Sequence, residues 1–140
     1  MFTNAHSLKL LLVVLPMAFA LTACSGNGSG LYEVKGQLTH NGEPIPEMNI
    51  IFVPEDTGKH PESYATTDAE GRFEMKVVNT PGVAPGKHTV FVQDPAAVQG
   101  GTTSTAKSYQ AVLKKYGNEE SSPFTITVEE NMPDLQLKLD

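Results

Sequence analysis

Tryptophan is absent from this 140-residue chain, cysteine occurs once, and arginine occurs once, at Arg72. A single cysteine excludes a disulfide framework and metal sites built from cysteine clusters. Without tryptophan, stacking of a ligand ring falls to tyrosines, of which there are four. Positive charge is also scarce. Ten Lys and Arg stand against 16 Asp and Glu, a net charge of −6 with the histidines neutral. A nucleic-acid binder needs a basic face for phosphates, so this balance argues against nucleic acid as a partner. The N-terminal apolar run, residues 10–20, has only 11 residues, short of the ~20 that a membrane-spanning helix requires. No His-Glu-x-x-His or Gly-x-Ser-x-Gly motif occurs, so the sequence signs of a zinc protease or a serine-hydrolase elbow are missing. The chain does have turn chemistry, with 12 Gly and 10 Pro among 39% hydrophobic residues. That suits one domain of many short elements.

Lys9 and the apolar run have the size and order of a secretory signal with a weakly basic start. Next comes Leu21-Thr22-Ala23-Cys24. This resembles the bacterial lipobox, in which small residues precede a cysteine that is acylated and becomes the new N-terminus. The resemblance implies a signal peptide over 1–23 and a lipid anchor on Cys24; an ordinary signal with an incidental cysteine is the alternative. One acyl chain binds a membrane marginally, whereas two or three hold firmly. Position 25 is Ser rather than Asp, which in envelope lipoproteins implies transport to the outer membrane. Residues 25–30, Ser-Gly-Asn-Gly-Ser-Gly, read as a flexible tether with a root-mean-square reach of about 13 Å. The expected organisation is therefore a signal peptide at 1–23, a lipidated cysteine and tether at 24–30, and one domain at 31–140. Loss of 1–23 removes Lys9 and no acid, leaving the remainder more acidic still.

From Leu31 the dominant period is two. Tyr32, Val34 and Leu38 alternate with Glu33, Lys35, Gln37 and Thr39, which predicts a strand with one apolar face. Asn41-Gly42-Glu43-Pro44 is a turn signal. Residues 48–53 are apolar on both faces, which predicts a central strand. A polar loop covers 55–62, a short strand 63–67 and a tight turn 68–71. Strands over 72–77 and 87–93 follow, the second with His88, Val90 and Val92 on one face. Residues 124–128 and 135–139 alternate cleanly, joined by a turn at 129–133. Seven short strands between Gly/Pro turns is the pattern of a β-sandwich. Within the long segment 95–122, Tyr109, Val112, Leu113 and Tyr116 fall at i, i+3, i+4 and i+7, and Gly117 stands where a C-cap glycine would. This predicts a short amphipathic helix over 106–116, with an irregular loop pinned by two tyrosines as the other reading.

Val34-Lys35-Gly36-Gln37-Leu38, Asn41-Gly42-Glu43-Pro44-Ile45, Ile50-Ile51-Phe52-Val53-Pro54, the stretch 66–73 and the stretch 85–92 occur in that order. Together they resemble the carboxypeptidase regulatory-like domain, a transthyretin-like (prealbumin-like) β-sandwich frequent in bacterial envelope proteins. The resemblance covers 33–93 well and the last two strands more loosely. It implies an all-β, seven-stranded Greek-key sandwich with one short helix in the insertion before the last two strands. Small lipoproteins built from one such domain mostly have no assigned activity. Gly42 and Gly71 are expected at positive φ in tight turns, with Asp68 bonding amides two residues on and Gly86 opening the next strand. Where the family places an aromatic two positions after Pro-Gly, this chain departs from it with His88, expected as a satisfied core histidine if it points inward.

Enzyme readings find little support. Transthyretin-like hydroxyisourate hydrolases end in Tyr-Arg-Gly-Ser, whereas this chain ends Leu-Lys-Leu-Asp. The tyrosines and histidines show no spacing suited to the iron of β-sandwich dioxygenases. His40, His60 and His88 fall on different elements, so no metal and no cofactor is expected. Glu55-Asp56 and Asp68-x-Glu70 are acidic loop clusters of the kind calcium uses, but Asp68-Ala69-Glu70-Gly71 lacks the further ligands of a calcium loop and reads as an Asx turn. Binding is left. Tyr109, Lys114, Lys115 and Tyr116 in the insertion are the candidate binding residues, suited to an anionic partner, and Tyr64 is a further candidate for stacking. The expected protein is a lipid-anchored, non-catalytic module of the cell envelope. Its partners would be the membrane, through its anchor, and an envelope protein or glycan; a carbohydrate- or calcium-dependent adhesion module is the alternative.

Overall fold

The computed structural model describes residues 30–140. The expected signal peptide, the expected lipobox residues Leu21, Thr22 and Ala23 with Cys24, and the expected tether as far as Ser29 lie outside the described residues. The fold is mostly β, with two sheets and a short amphipathic helix.

Strand β1 (Val34–His40) buries Val34 and Leu38 and turns its intervening side chains outward. Asn41 and Gly42, at φ 51° and 81°, connect it to β2 (Glu43–Pro44). Two consecutive left-handed residues give the twist that a two-residue hairpin requires, and Asn-Gly adopts it at low cost. Strands β3 (Asn49–Pro54) and β4 (Ser63–Thr66) pair antiparallel in the second sheet, with Ile51 opposite Tyr64. Their following turn is pinned by Asp68, whose Oδ1 accepts from the Glu70 and Arg72 amides at 3.0 and 2.8 Å. Gly71 in that turn has φ 71°, and a Cβ there would stand 2.7 Å from the Leu38 carbonyl oxygen. Only glycine fits both demands.

The stretch expected as one strand over 72–77 divides. β5 (Arg72–Glu74) pairs with β1 in the first sheet. At Met75 the chain crosses over, and β6 (Lys76–Val77) pairs with β4 in the second. Short β7 (Thr80–Pro81) follows β6, and β8 (Gly86–Gln93) pairs with β3 along its length. Gly86 has φ 119° at the start of β8. Helix α1 (Pro95–Val98) and helix α2 (Lys107–Tyr116) occupy the insertion. The last two strands part company: β9 (Thr125–Val128) joins β8, while β10 (Met132–Lys138) lies parallel to β1. The resulting orders are β10-β1-β2, with β5 also on β1, and β7-β6-β4-β3-β8-β9.

One core joins both sheets and the helix. Leu38, Phe73 and Leu137 come from the first sheet, Phe52, Val90 and Val92 from the second, and Tyr109, Val112 and Tyr116 from α2. The helical spacing seen in the sequence thus marks a buried stripe. Gly117 ends α2 by donating to the Leu113 carbonyl at 2.8 Å, with φ −79° rather than a left-handed value. His88 points into this core and is fully buried.

Candidate functional site

The insertion residues expected to bind a partner are mostly engaged within the fold. Tyr109 and Tyr116 are buried because they are the core-facing side of α2, so neither offers a ring for stacking. The Tyr116 hydroxyl donates to the Asp140 carbonyl at 2.7 Å. Lys115 donates to that same carbonyl, with its ammonium 5.1 Å from the centre of the Tyr116 ring. Lys114 is exposed. Gly42, Gly71 and Gly86 lie in turns at positive φ, and Asp68 pins the turn before Arg72 while also lining the groove described next.

The larger depression lies elsewhere, where β5 leaves β4 on its way between the sheets. It has a volume of about 620 Å³. Ala65 and Phe73, both inward residues, form its floor. Tyr64, Arg72, Lys76 and Lys35 stand at its rim. Tyr64 is 48% exposed, and its hydroxyl donates to the Val78 carbonyl at 2.5 Å, which fixes the ring's direction. Its cross-strand neighbours place it in an outward row with Ile51 and Phe91. The rim charges are not equivalent. Lys35 is paired with Glu33 and, at 3.3 Å, with Glu74, and these carboxylates hold its ammonium above the ordinary lysine value, Glu33 foremost. The Asp68 carboxylate is occupied by backbone amides. Arg72 and Lys76 have no ion pair among the described residues. The groove therefore offers two free cations beside an aromatic ring over an apolar floor, a combination suited to a flat, acidic ligand.

The sequence puts Tyr64 in the strand over 63–67 and Arg72 at the start of the strand over 72–77, with nothing to bring them to one groove. The signal that links them is the crossover at Met75, which alternation alone does not carry.

A second, smaller pocket of about 290 Å³ opens between the insertion and the segment after β2. Asp94 and Tyr109 lie on one side, Pro44 and Pro46 on the other. Tyr109 donates to the Glu47 carbonyl at 3.3 Å. Burial, then the charge of Asp94 and a hydrogen bond to it, then the charge of Glu47, push the phenol up to about 12.

The histidines stay apart. His40 Nδ1 donates to the Leu139 carbonyl, and its Nε2 accepts from Asn41 Nδ2 at 3.0 Å. His88 Nδ1 donates to the Gly86 carbonyl at 3.0 Å. Among the described residues, no three or more His, Cys, Asp and Glu side chains gather as a metal site would require. Comparison of the chain with protein-family models, with curated proteins and with solved structures found no match.

Proposed function

We propose that this chain is a lipid-anchored, non-catalytic binding module of the bacterial cell envelope. On this reading Cys24 is acylated after removal of 1–23, and residues 25–30 tether the domain near the outer membrane, facing the periplasm or the exterior. The domain is read as a transthyretin-like, seven-strand Greek-key sandwich of the carboxypeptidase regulatory-like kind, with β2, β6 and β7 as short extensions of its strands. The order of lipobox, tether and two-sheet domain supports the anchoring half of the proposal.

The binding half is carried by the groove between β4 and β5, with unpaired Arg72 and Lys76 beside the half-exposed Tyr64. Its ligand is read as an acidic glycan. A sugar ring lies against Tyr64 while the cations meet its carboxylates through charge-assisted hydrogen bonds.

Both halves can be tested. Cys24→Ala should move the protein from membranes to the soluble envelope fraction; retention in membranes would overturn the anchor. Binding of a galacturonate oligosaccharide, measured calorimetrically, should weaken about ten- to a hundredfold in Arg72→Gln, from the ~1.5–3 kcal/mol of a hydrogen bond to a charged group. It should also weaken as salt is raised. Equal binding of a neutral galactose oligosaccharide would remove the acidic-glycan assignment.

A further inference from the structure

The first sheet ends in an open edge. β10 stands last in its order and pairs with β1 alone. The Leu139 amide donates to the Thr39 carbonyl on β1, and successive residues of a strand point their backbone groups to opposite edges. In the parallel register, Leu135 and Leu137 therefore turn N–H and C=O toward β1, while Asp134, Gln136 and Lys138 turn theirs outward. Among the described residues, no other strand meets those outward groups. Pro133 has no N–H to donate, so it closes the open stretch on one side.

A row of unpaired backbone groups is a template for another strand, and the side chains say which one. Asp134, Gln136 and Lys138 are exposed, whereas Leu137 is fully buried and Leu135 packs against the core from a half-buried position. Asp134 and Lys138 have no ion pair among the described residues. The Asp134 carboxylate accepts only from Gln136 Nε2, at 2.9 Å. Lys35 on β1 is held by Glu33 and Glu74, so it does not neutralise this acid. The segment Asp134-Leu135-Gln136-Leu137-Lys138 thus has opposite charges at its ends and the same leucine on either side of its centre. Laid antiparallel on itself about Gln136, it sets Asp134 against the second copy's Lys138, and Gln136 against the second copy's Gln136. These are the residues whose backbone groups face outward, so each opposed pair can exchange both its hydrogen bonds. A slip of two residues sets Asp134 against Gln136 and shortens the ladder. An in-register parallel pairing sets like charges together. Backbone and charge therefore select the same arrangement.

We propose that two copies of this chain associate edge to edge through β10, antiparallel about a two-fold axis at Gln136, so that the first sheet runs on from one copy into the other. The half-buried Leu135 then gains cover from the second copy's Leu137. Because the same edge serves both copies, the contact closes on itself and stops at a dimer. It is independent of the groove and of the lipid anchor, so it stands or falls without them.

The test is sedimentation equilibrium of the full chain, purified as expressed, in a density-matched non-ionic detergent, with amide hydrogen exchange followed at low and high protein concentration. A monomer–dimer equilibrium is expected, and the amides of Asp134, Gln136 and Lys138 should gain protection as the dimer fills. Asp134→Lys and Lys138→Asp each oppose like charges at both ends of the paired segment, and each should weaken dimerisation about tenfold. Combining the two reverses every pair and restores attraction, so the double variant should dimerise as the unaltered chain does. A dimer indifferent to the single reversals, a double variant as weak as the singles, or association that grows beyond two copies would overturn the proposal. So would a monomer at every concentration. With the three amides unprotected, that monomer would leave the edge to a strand of another protein; with them protected, a segment before residue 30 would be covering it. The exchange measurement on the unaltered chain decides the matter even if a variant fails to fold.

Discussion

At the scale of single residues, His88 carries the clearest consequence. It occupies an inward position on β8, 6.1 Å from Phe52 between ring centres, with Nε2 buried and without a partner. Burial disfavours the imidazolium and lowers its pKa below the ordinary 6.5; the Gly86 carbonyl opposes this, and the nearby charge of His60 adds to it. The unfolded chain then binds the proton more readily than the folded one. Stability from this residue is complete above about pH 6.5 and declines as pH falls through that value toward the folded pKa. Urea unfolding should show a midpoint that drops between pH 7 and pH 5, with that component missing in His88→Phe. Parallel pH profiles for the two proteins would exclude His88 as its source. Gly71 gives a second expectation. Gly71→Val should cost on the order of 1–3 kcal/mol, since a β-branched residue is placed at φ 71° with its Cβ against the Leu38 carbonyl. An unchanged melting temperature would show that the turn relaxes around the new side chain.

At the scale of elements, β1 is the organiser. It pairs with β10 on one edge and with β2 and β5 on the other. Its register with β10 shifts between Val34 and Gly36, and a Cβ at Gly36 would lie 2.0 Å from the Leu135 carbonyl oxygen. Gly36→Ala should therefore push β10 away and destabilise the domain by about 1–3 kcal/mol. Faster amide exchange at residues 135–138 than elsewhere would locate the damage there, and uniform exchange would argue against a local cause. Much of this layer was legible in the sequence. Alternation gave β1 and β8, a run apolar on both faces gave β3, Asn41-Gly42 gave the turn after β1, and the 3–4 spacing of Tyr109, Val112, Leu113 and Tyr116 gave α2. The crossover at Met75 was not legible, because alternation reports which face a residue takes and not which strand it pairs with. The need for glycine at Gly36 was hidden for a similar reason: its neighbour, Leu135, is distant in the sequence.

At the scale of the whole molecule, long-range contacts assemble both pockets. The groove brings together β1, β4, β5 and β6, and the smaller pocket unites the segment after β2 with both parts of the insertion. No local motif announces either, so the sequence pointed instead to Tyr109, Lys114, Lys115 and Tyr116 of α2, of which the fold engages all but the exposed Lys114. The C-terminal residues also serve this joining. Leu139 is fully buried, its amide donates to the Thr39 carbonyl at 2.9 Å, and Asp140 Oδ1 accepts from the Asn41 amide at 2.8 Å. Leu139→Ala should thus destabilise the entire domain by about 2–5 kcal/mol, seen as one cooperative transition at lower denaturant. A separate early transition would mean that the C-terminal strand detaches on its own.

The way the chain enters the domain has a mechanical meaning. Just after Gly30, Tyr32 exchanges both backbone hydrogen bonds with Val83, at 2.9 and 2.8 Å, and β1 then runs on between neighbours on both edges. A pull applied at Gly30 is directed along β1, so it loads these bonds in shear and many must fail together. Peeling, in which bonds break one at a time, would need a pull across the sheet. The β1 pairings thus act as a clamp at the end of the domain from which a membrane anchor would tug.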